Sequence, residues 1–241
     1  MAGDRLARIL ALLSPPGEGE ARSVRLCRVS ADLAAVTGAG ITLMSGDAPC
    51  GSVCTTDEVS AVVEELQFTL GEGPCIDAYR QDRPVLEPDL DHPVRARWLA
   101  FTPPAVDAGV RAVFGFPLQV GVVRLGALNL YRDRTGPLSD EQHADALVMA
   151  GVAARAVLLM QAHAPAGALG EELEEGGNWR FAVHQASGMV AAQLGVGIAE
   201  AMVRLRAHAF RADRLLADVA DDVVSRRLRF DARSGDEAAG P

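Results

Sequence analysis

The sequence predicts an α+β protein: an antiparallel sheet flanked by helices, followed by a small all-α unit of three helices. Three observations carry that prediction. Up to His163 the apolar residues switch between helical spacing and the two-residue period of strands, and the strand-like runs come in pairs around tight turns, as hairpins require. From Ala164 to Gly177 the periodicity stops, and Pro165, Gly167, Gly170 and the acidic run Glu171-Glu172-Leu173-Glu174-Glu175 read as a linker. Beyond it the charge changes sign: residues 178–230 hold eight arginines against five acids, a net of +3 in a chain whose total is −9, leaving −12 for the rest. An acidic body and a basic end point to two modules with different partners.

At 241 residues the chain can bury a core that needs no disulfide support. Phe, Trp and Tyr make up 5% against 49% hydrophobic overall, so the apolar mass is Ala, Val and Leu, suited to helices packed through small side chains. All 23 basic residues are arginine, which weakens any single arginine as a sign of bidentate recognition. No apolar run reaches about 18 residues, so no membrane span is expected. The start of the chain, interrupted by Arg5 and Arg8 and closed by Pro15-Pro16, has no hydrophobic signal core. The expectation is a cytoplasmic protein in which Cys27, Cys50, Cys54 and Cys75 are reduced thiols.

Taken in order, Asp4 to Leu13 has the stripe of an amphipathic helix through Leu6, Ile9, Leu10 and Leu13, with Asp4 placed to cap it. A second helix is expected over Ala21 to Val36, ended by Thr37-Gly38. Gly40 to Ser45 and Ser52 to Cys54 read as strands around the turn Gly46-Asp47-Ala48-Pro49. Thr55 and Glu58 have the spacing of a capping box for a helix whose apolar face is Val59, Val62, Val63 and Leu66. Leu70-Gly71-Glu72-Gly73-Pro74-Cys75 sets two glycines and a proline around one acid. Such a loop brings backbone amides to a ligand or makes a tight turn. A helical turn over Ile76 to Arg80, a brief strand at Pro84-Val85-Leu86 and a helix over Arg97 to Gly109, broken by Pro103 and Pro104, follow. Ala112 to Val120 and Val122 to Tyr131 meet near Gly121 as the strongest hairpin. Ser139 and Gln142 form a second capping-box pattern for a long helix to His163. Its apolar residues, Leu147, Val148, Val152, Val157, Leu158 and Met160, exceed what one sheet face needs and suit a dimer contact.

The residues just described carry a resemblance. Leu70-Gly71-Glu72-Gly73-Pro74-Cys75 with Asp77-Ala78-Tyr79, Arg83-Pro84-Val85, Asp89-Leu90, Arg111-Ala112-Val113-Phe114 and Gly126-Ala127-Leu128 resembles an actinobacterial GAF domain. The resemblance implies a sheet and helices enclosing a pocket for a small molecule, in a sensor that also dimerises. It places Gly73, Pro74, Cys75 and Asp77 at the ligand pocket and leaves the ligand unnamed.

No metal and no cofactor are expected beyond that unknown small-molecule ligand. Cys50 and Cys54 have no second close pair of ligands, and the histidines are scattered at 92, 143, 163, 184 and 208. Nucleophile-elbow, Walker, HExxH and Rossmann patterns are missing, so the chain is not expected to be an enzyme. The alternative is a thiol enzyme using Cys75, because some small GAF proteins are methionine sulfoxide reductases. The basic module has no place in that chemistry.

Residues 180 to 194, 198 to 210 and 214 to 229 read as three helices with narrow apolar faces that must pack on one another or on a second chain. Gly188 inside the first suggests a close helix crossing. Arg204, His208 and Arg211 share one edge of the second helix, Arg180, His184 and Ser187 an edge of the first, and Arg226 and Arg229 an edge of the third. His184-Gln185-Ala186-Ser187-Gly188-Met189-Val190, Leu194-Gly195, Glu200-Ala201, Leu205-Arg206 with Ala209, and Leu216-Ala217-Asp218-Val219-Ala220 with Val223-Val224 resemble the ANTAR domain, an RNA-binding antitermination module. The family usually has a lysine where this chain has Ser187. The resemblance implies a homodimer that binds tandem hairpin loops in a nascent transcript.

Arg204, Arg206, His208 and Arg211 are the expected RNA contacts, with Arg180 and His184 next, and Arg206 has an internal salt bridge as its alternative role. Domain boundaries follow: an N-terminal helix at 1–19, the GAF-like domain at 20–163, the linker at 164–177, the ANTAR-like three-helix domain at 178–230 and a disordered tail at 231–241. The main alternative is a sensor whose helical end recruits a protein partner.

Overall fold

The computed structural model describes residues 2–14, 21–45, 48–93, 97–163, 178–212 and 214–231. The chain divides into two compact units, Met1–Ala166 and Gly167–Pro241. The expected linker at 164–177 and the tail from 232 onward lie outside the described residues.

The first unit contains, in chain order, α1 (Ala2–Leu13), α2 (Arg22–Ala34), β1 (Gly38–Ser45), β2 (Ala48–Thr55), α3 (Glu58–Leu70), α4 (Pro74–Gln81), β3 (Val85–Glu87), α5 (Thr102–Asp107), β4 (Ala112–Val120), β5 (Val123–Arg132) and α6 (Asp140–His163). Five strands form one antiparallel sheet in the order β2-β1-β5-β4-β3. Gly40 lies opposite Asn129 and Phe116 opposite Leu128, and since side chains alternate across a strand, this register sorts the sheet by face. Met44, Val113, Ala127 and Tyr131 face a core completed by Val63, Cys75, Ile76, Phe101 and Ala105 from α3, α4 and the start of α5. Phe116 faces the opposite way, edge-on to His143 of α6 at 5.4 Å. Both faces are therefore covered, which explains why β4 and β5 read as near-continuous apolar runs. β2 is an edge strand, the place where Pro49 is tolerated.

Several local expectations shift. Ser139 and Gln142 do exchange capping hydrogen bonds: Gln142 N–H donates to Ser139 Oγ at 3.2 Å and Ser139 N–H to Gln142 Oε1 at 2.8 Å. The box expected at Thr55 and Glu58 forms two residues later, where Ser60 N–H donates to Asp57 Oδ1 at 2.7 Å and Asp57 N–H to Ser60 Oγ at 2.9 Å. The reason is that β2 runs on to Thr55, still paired with Gly40, so the helix cannot start earlier. Pro103 and Pro104 open α5 instead of breaking a longer helix, because the first turn needs no donor from them. α2 ends in a Schellman-type turn on Ala35 (φ 47°), a position expected of glycine. There Val36 N–H donates to Ala31 O at 3.1 Å.

The cysteines require a correction. Cys27 of α2 and Cys54 of β2 are joined by a disulfide with Cα atoms 6.2 Å apart, instead of being reduced thiols. Cys54 pairs with Ile41 on the sheet face beneath α2, where Cys27 belongs to the buried stripe of the helix. Chain spacing carries no trace of that juxtaposition. α6, over Asp140–Met160, is also long and apolar enough by composition to cross a membrane. Its inner residues Met149, Ala153 and Val157 are buried.

The second unit comprises α7 (Asn178–Leu194), α8 (Ile198–Arg211) and α9 (Leu216–Val224), packed through Val183, Ala186, Val190, Ala201, Leu205, Val219, Ala220 and Val223. Small residues dominate because the helices are short and must approach closely to share one core. Gly188 is not a close crossing: a Cβ there would meet nothing within 4 Å. The third helix ends at Val224 instead of Arg229. Arg226 takes φ 62°, Arg226 N–H donates to Val223 O at 3.0 Å and Arg227 N–H to Asp222 O at 2.7 Å, which closes the helix. Asp222 then clamps the turn, accepting from Arg214 and Arg227, each at 2.7 Å.

Candidate functional site

The first unit positions its predicted pocket residues through the start of α4. Gly73 has φ 134°, a conformation open to glycine, and Pro74 follows as the first helical residue. Gly73, Pro74 and Cys75 are buried, while Asp77 is half-buried and accepts from Trp98 Nε1 at 3.0 Å. Glu72 Oε1 accepts from the amides of Ala100 (2.6 Å) and Phe101 (2.9 Å), so the acid of the glycine loop binds the segment before α5. Trp98 itself sits at φ 54°, a strained conformation for so bulky a residue.

Behind these residues lies a buried polar row absent from the expectations. Asn129 Nδ2 donates to Glu64 Oε1 at 2.6 Å, and Cys75 N–H donates to Gln67 Oε1 at 2.7 Å. Gln67 Nε2 and Asn129 Oδ1 are buried without a hydrogen-bond partner among the described residues. The buried face of α3 is Ser60, Val63, Glu64, Gln67 and Phe68, so the helix turns partly polar residues to the core and leaves Val62 exposed. Gly40 makes room: a Cβ there would run into the Glu64 carboxyl group. The signal for this row was Glu64 and Gln67 at helical spacing with Ser60, a polar stripe in a helix whose flanks are also apolar.

Burial pushes the Cys75 thiol well above its ordinary pKa, and the Glu64 carboxylate adds to the effect. A thiol held neutral in this way is a poor nucleophile, since the thiolate is the reactive form. Tyr131 is raised chiefly by burial and then by its hydrogen bond to Asp57 Oδ1 at 2.8 Å.

In the second unit, three predicted contacts come together. Arg204, His208 and Arg211 of α8 line a surface depression of about 490 Å³ with Leu194, Ala207, Arg229 and Phe230. The His208 ring stands edge-on to Phe230 at 5.3 Å, and Phe230 N–H donates to Gln193 Oε1 at 2.8 Å, which ties the chain after α9 to α7. Arg204 also pairs with Glu200 at 3.1 Å, an exposed i,i+4 bridge of little energetic weight. Arg206 is half-buried and does not line the depression, and His184 is exposed on α7. The Arg180 side chain lies outside the described residues. Ser187 is buried, its hydroxyl donating to His184 O at 2.7 Å, so this position offers no surface contact. Arg229 was missed as a partner of α8 because it was assigned to a helix that has already ended, and Phe230 because it follows that expected helix and carries no charge.

A family model described as the GAF domain matches residues 24–158, more than half of the chain. The chain belongs to the GAF domain family. A model of the ANTAR domain matches residues 171–224, so a GAF domain is followed by an ANTAR domain, as in GAF and ANTAR regulators. Among solved structures, the GAF domain of an Acinetobacter phosphoenolpyruvate-protein phosphotransferase is 13% identical with a TM-score of 0.50, over 67% of this chain and 96% of that one. The GAF domain of the Coxiella burnetii phosphoenolpyruvate-protein phosphotransferase is 13% identical, TM-score 0.49, over 67% and 95%. A type II free methionine-R-sulfoxide reductase from Thermoplasma acidophilum is 15% identical, TM-score 0.43, over 64% and 92%. No curated protein matches the chain. The five-stranded sheet with α3 to α5 on one face is the GAF fold. Arg229 and Phe230, which complete the basic depression, lie beyond the ANTAR match.

Proposed function

We propose that this GAF and ANTAR chain is a ligand-responsive RNA-binding regulator that acts by transcription antitermination as a homodimer. The observation that supports it best is the depression in the ANTAR unit, where Arg204, His208, Arg211 and Arg229 outnumber the one acid, Asp231, and stand beside Leu194, Leu228 and Phe230. Phosphates in an RNA loop suit the arginines, and an unstacked base suits the histidine and phenylalanine rings. His184, exposed on α7, and Arg180 are the further contacts carried by the first helix, and half-buried Arg206 serves the unit itself. On the sensor side, a small polar molecule is received near Gly73, Pro74, Cys75 and Asp77, with Gln67 and Asn129 supplying the buried donor and acceptor. α6, with Leu147 exposed outside the groove that α6 forms with α1 and α2, supplies the dimer contact.

The test is fluorescence anisotropy with an RNA carrying two adjacent hairpins, over a series of salt concentrations. Binding is expected to weaken with salt, and Arg204→Ala with Arg211→Ala is expected to weaken it further. The same pair should flatten the salt dependence by roughly 0.7 to 0.9 in log-log slope for each phosphate that is no longer neutralised. Absence of RNA binding by the dimer at every salt concentration would sink the proposal.

A second reading draws on a different observation. Val203, Phe210 and Leu215 are exposed, Phe210 by 75%, and an apolar surface of this kind suits a protein partner. Nuclease treatment separates the two, since a partner held through protein contacts stays bound and one held through RNA is released.

A further inference from the structure

On the sheet face away from Gln67 and Asn129, the helices α1, α2 and α6 enclose a groove of about 350 Å³, within the range of roughly 300–1,000 Å³ of small-ligand sites. Its floor is apolar: Leu6 and Leu10 from α1, Leu26 from α2, Val152 and Leu159 from α6. Leu10 and Leu159 remain 48% and 59% exposed although they line a concave surface. The rim is cationic. Arg22 and Arg155 line the groove, and neither guanidinium group makes a hydrogen bond or ion pair among the described residues. The α1 wall is fixed in place. Arg25 Nη2 donates to Leu12 O at 3.0 Å and Ser14 O at 3.1 Å, and Arg5 Nε pairs with buried Asp145 of α6 at 2.6 Å.

We propose that this groove binds one long-chain carboxylate, its alkyl chain along the leucine floor and its carboxylate on the Arg22 and Arg155 guanidinium groups. An apolar trough alone would take any hydrocarbon. Two guanidinium groups at its edge select an anion, because a carboxylate accepts from arginine in a bidentate, charge-assisted geometry. A second copy of the chain is the poorer occupant. An isologous contact centred on the groove would bring the same arginines towards one another. None of its lining residues belongs to the buried polar row of Glu64, Gln67 and Asn129 or to the depression at Arg204 and His208.

The experiment is calorimetric titration of the full-length protein with dodecanoate, with the dodecyltrimethylammonium cation and phosphatidylglycerol vesicles as comparison probes. Saturable one-to-one binding of dodecanoate is expected, with the cation bound at least about tenfold more weakly and the vesicles not bound. Arg22→Ala with Arg155→Ala, both surface changes, is expected to weaken dodecanoate about tenfold or more and to leave RNA affinity unchanged, which separates this proposal from the RNA-binding one. Leu10→Trp, at an exposed position, is expected to fill the groove and abolish binding. Three outcomes overturn the proposal: no saturable dodecanoate binding, equal affinity in the double-arginine variant, or vesicle binding without dodecanoate binding. Loss of a dimer in Leu159→Asp, with no dodecanoate bound by the wild type, would assign the groove to a second copy instead.

Discussion

Cys75 shows how one buried group ties pH to stability. Its thiol binds a proton more tightly in the fold than in the unfolded chain, because burial and the nearby Glu64 both disfavour the thiolate. A group with a raised folded pKa stabilises fully below its unfolded value, about 8.5 for a thiol, and loses that contribution as pH rises through the folded value. The native stability is therefore expected to fall above about pH 8.5 by up to about 1.4 kcal/mol per pH unit, and Cys75→Ala to flatten that fall. Urea denaturation between about pH 7.5 and 9.5 measures it, and equal slopes in both proteins would contradict it. Tyr131 follows the same sign, but its ordinary pKa of about 10 puts its contribution above that window. The turn at Gly73 and Pro74 that opens α4 was legible because glycine and proline mark the chain wherever they sit. Their polar neighbours were not: Glu64 and Asn129 are 65 residues apart and meet only because α3 packs over β1 and β2, next to β5 in the sheet. Asn129→Asp, which sets a second carboxyl group against buried Glu64, is expected to destabilise by about 3 kcal/mol or more and to be partly relieved by lowering the pH.

At the scale of elements, the hairpin β4–β5 and the long helix α6 were readable because each carries its own local instructions: β-branched runs around Gly121, and a capping pair at Ser139 and Gln142. Where an expectation moved, a neighbouring element had intervened. The pairing of Thr55 with Gly40 delayed α3, and the clamp of Asp222 on Arg214 and Arg227 came with an early end to α9. The disulfide between α2 and β2 closes a separation of 27 residues, and the loop-closure model gives such a link about 3 to 4 kcal/mol. Cys27→Ser is expected to lower stability by that order, with the wild type matching it after reduction. Calorimetry with and without reductant compares the two. A gain is expected at the end of the same helix. Ala35 holds a left-handed conformation that glycine adopts without a Cβ penalty, so Ala35→Gly should raise stability by about 1 kcal/mol.

For the molecule as a whole, the change of charge sign at about residue 178 was visible from composition, while the ANTAR match begins at residue 171, inside the acidic run that precedes it. What composition cannot divide is the work of arginine from that of aromatic rings within the output unit. Arg204 and Arg211 supply diffuse charge at the depression, whereas His208 and Phe230 supply two ring edges at 5.3 Å held by the Gln193 bond. If an RNA base enters there, the two kinds of contact respond differently to salt, since stacking releases no counterions. His208→Ala with Phe230→Ala is expected to weaken hairpin binding by about 5- to 150-fold, the range of losing one stacked base, with the salt slope unchanged. Arg204→Ala with Arg211→Ala is expected to weaken binding and reduce the slope together. Parallel titrations of both variants at several salt concentrations read the difference. A slope that drops equally in both would mean that the rings serve only to position the arginines, and that no base is received in the depression.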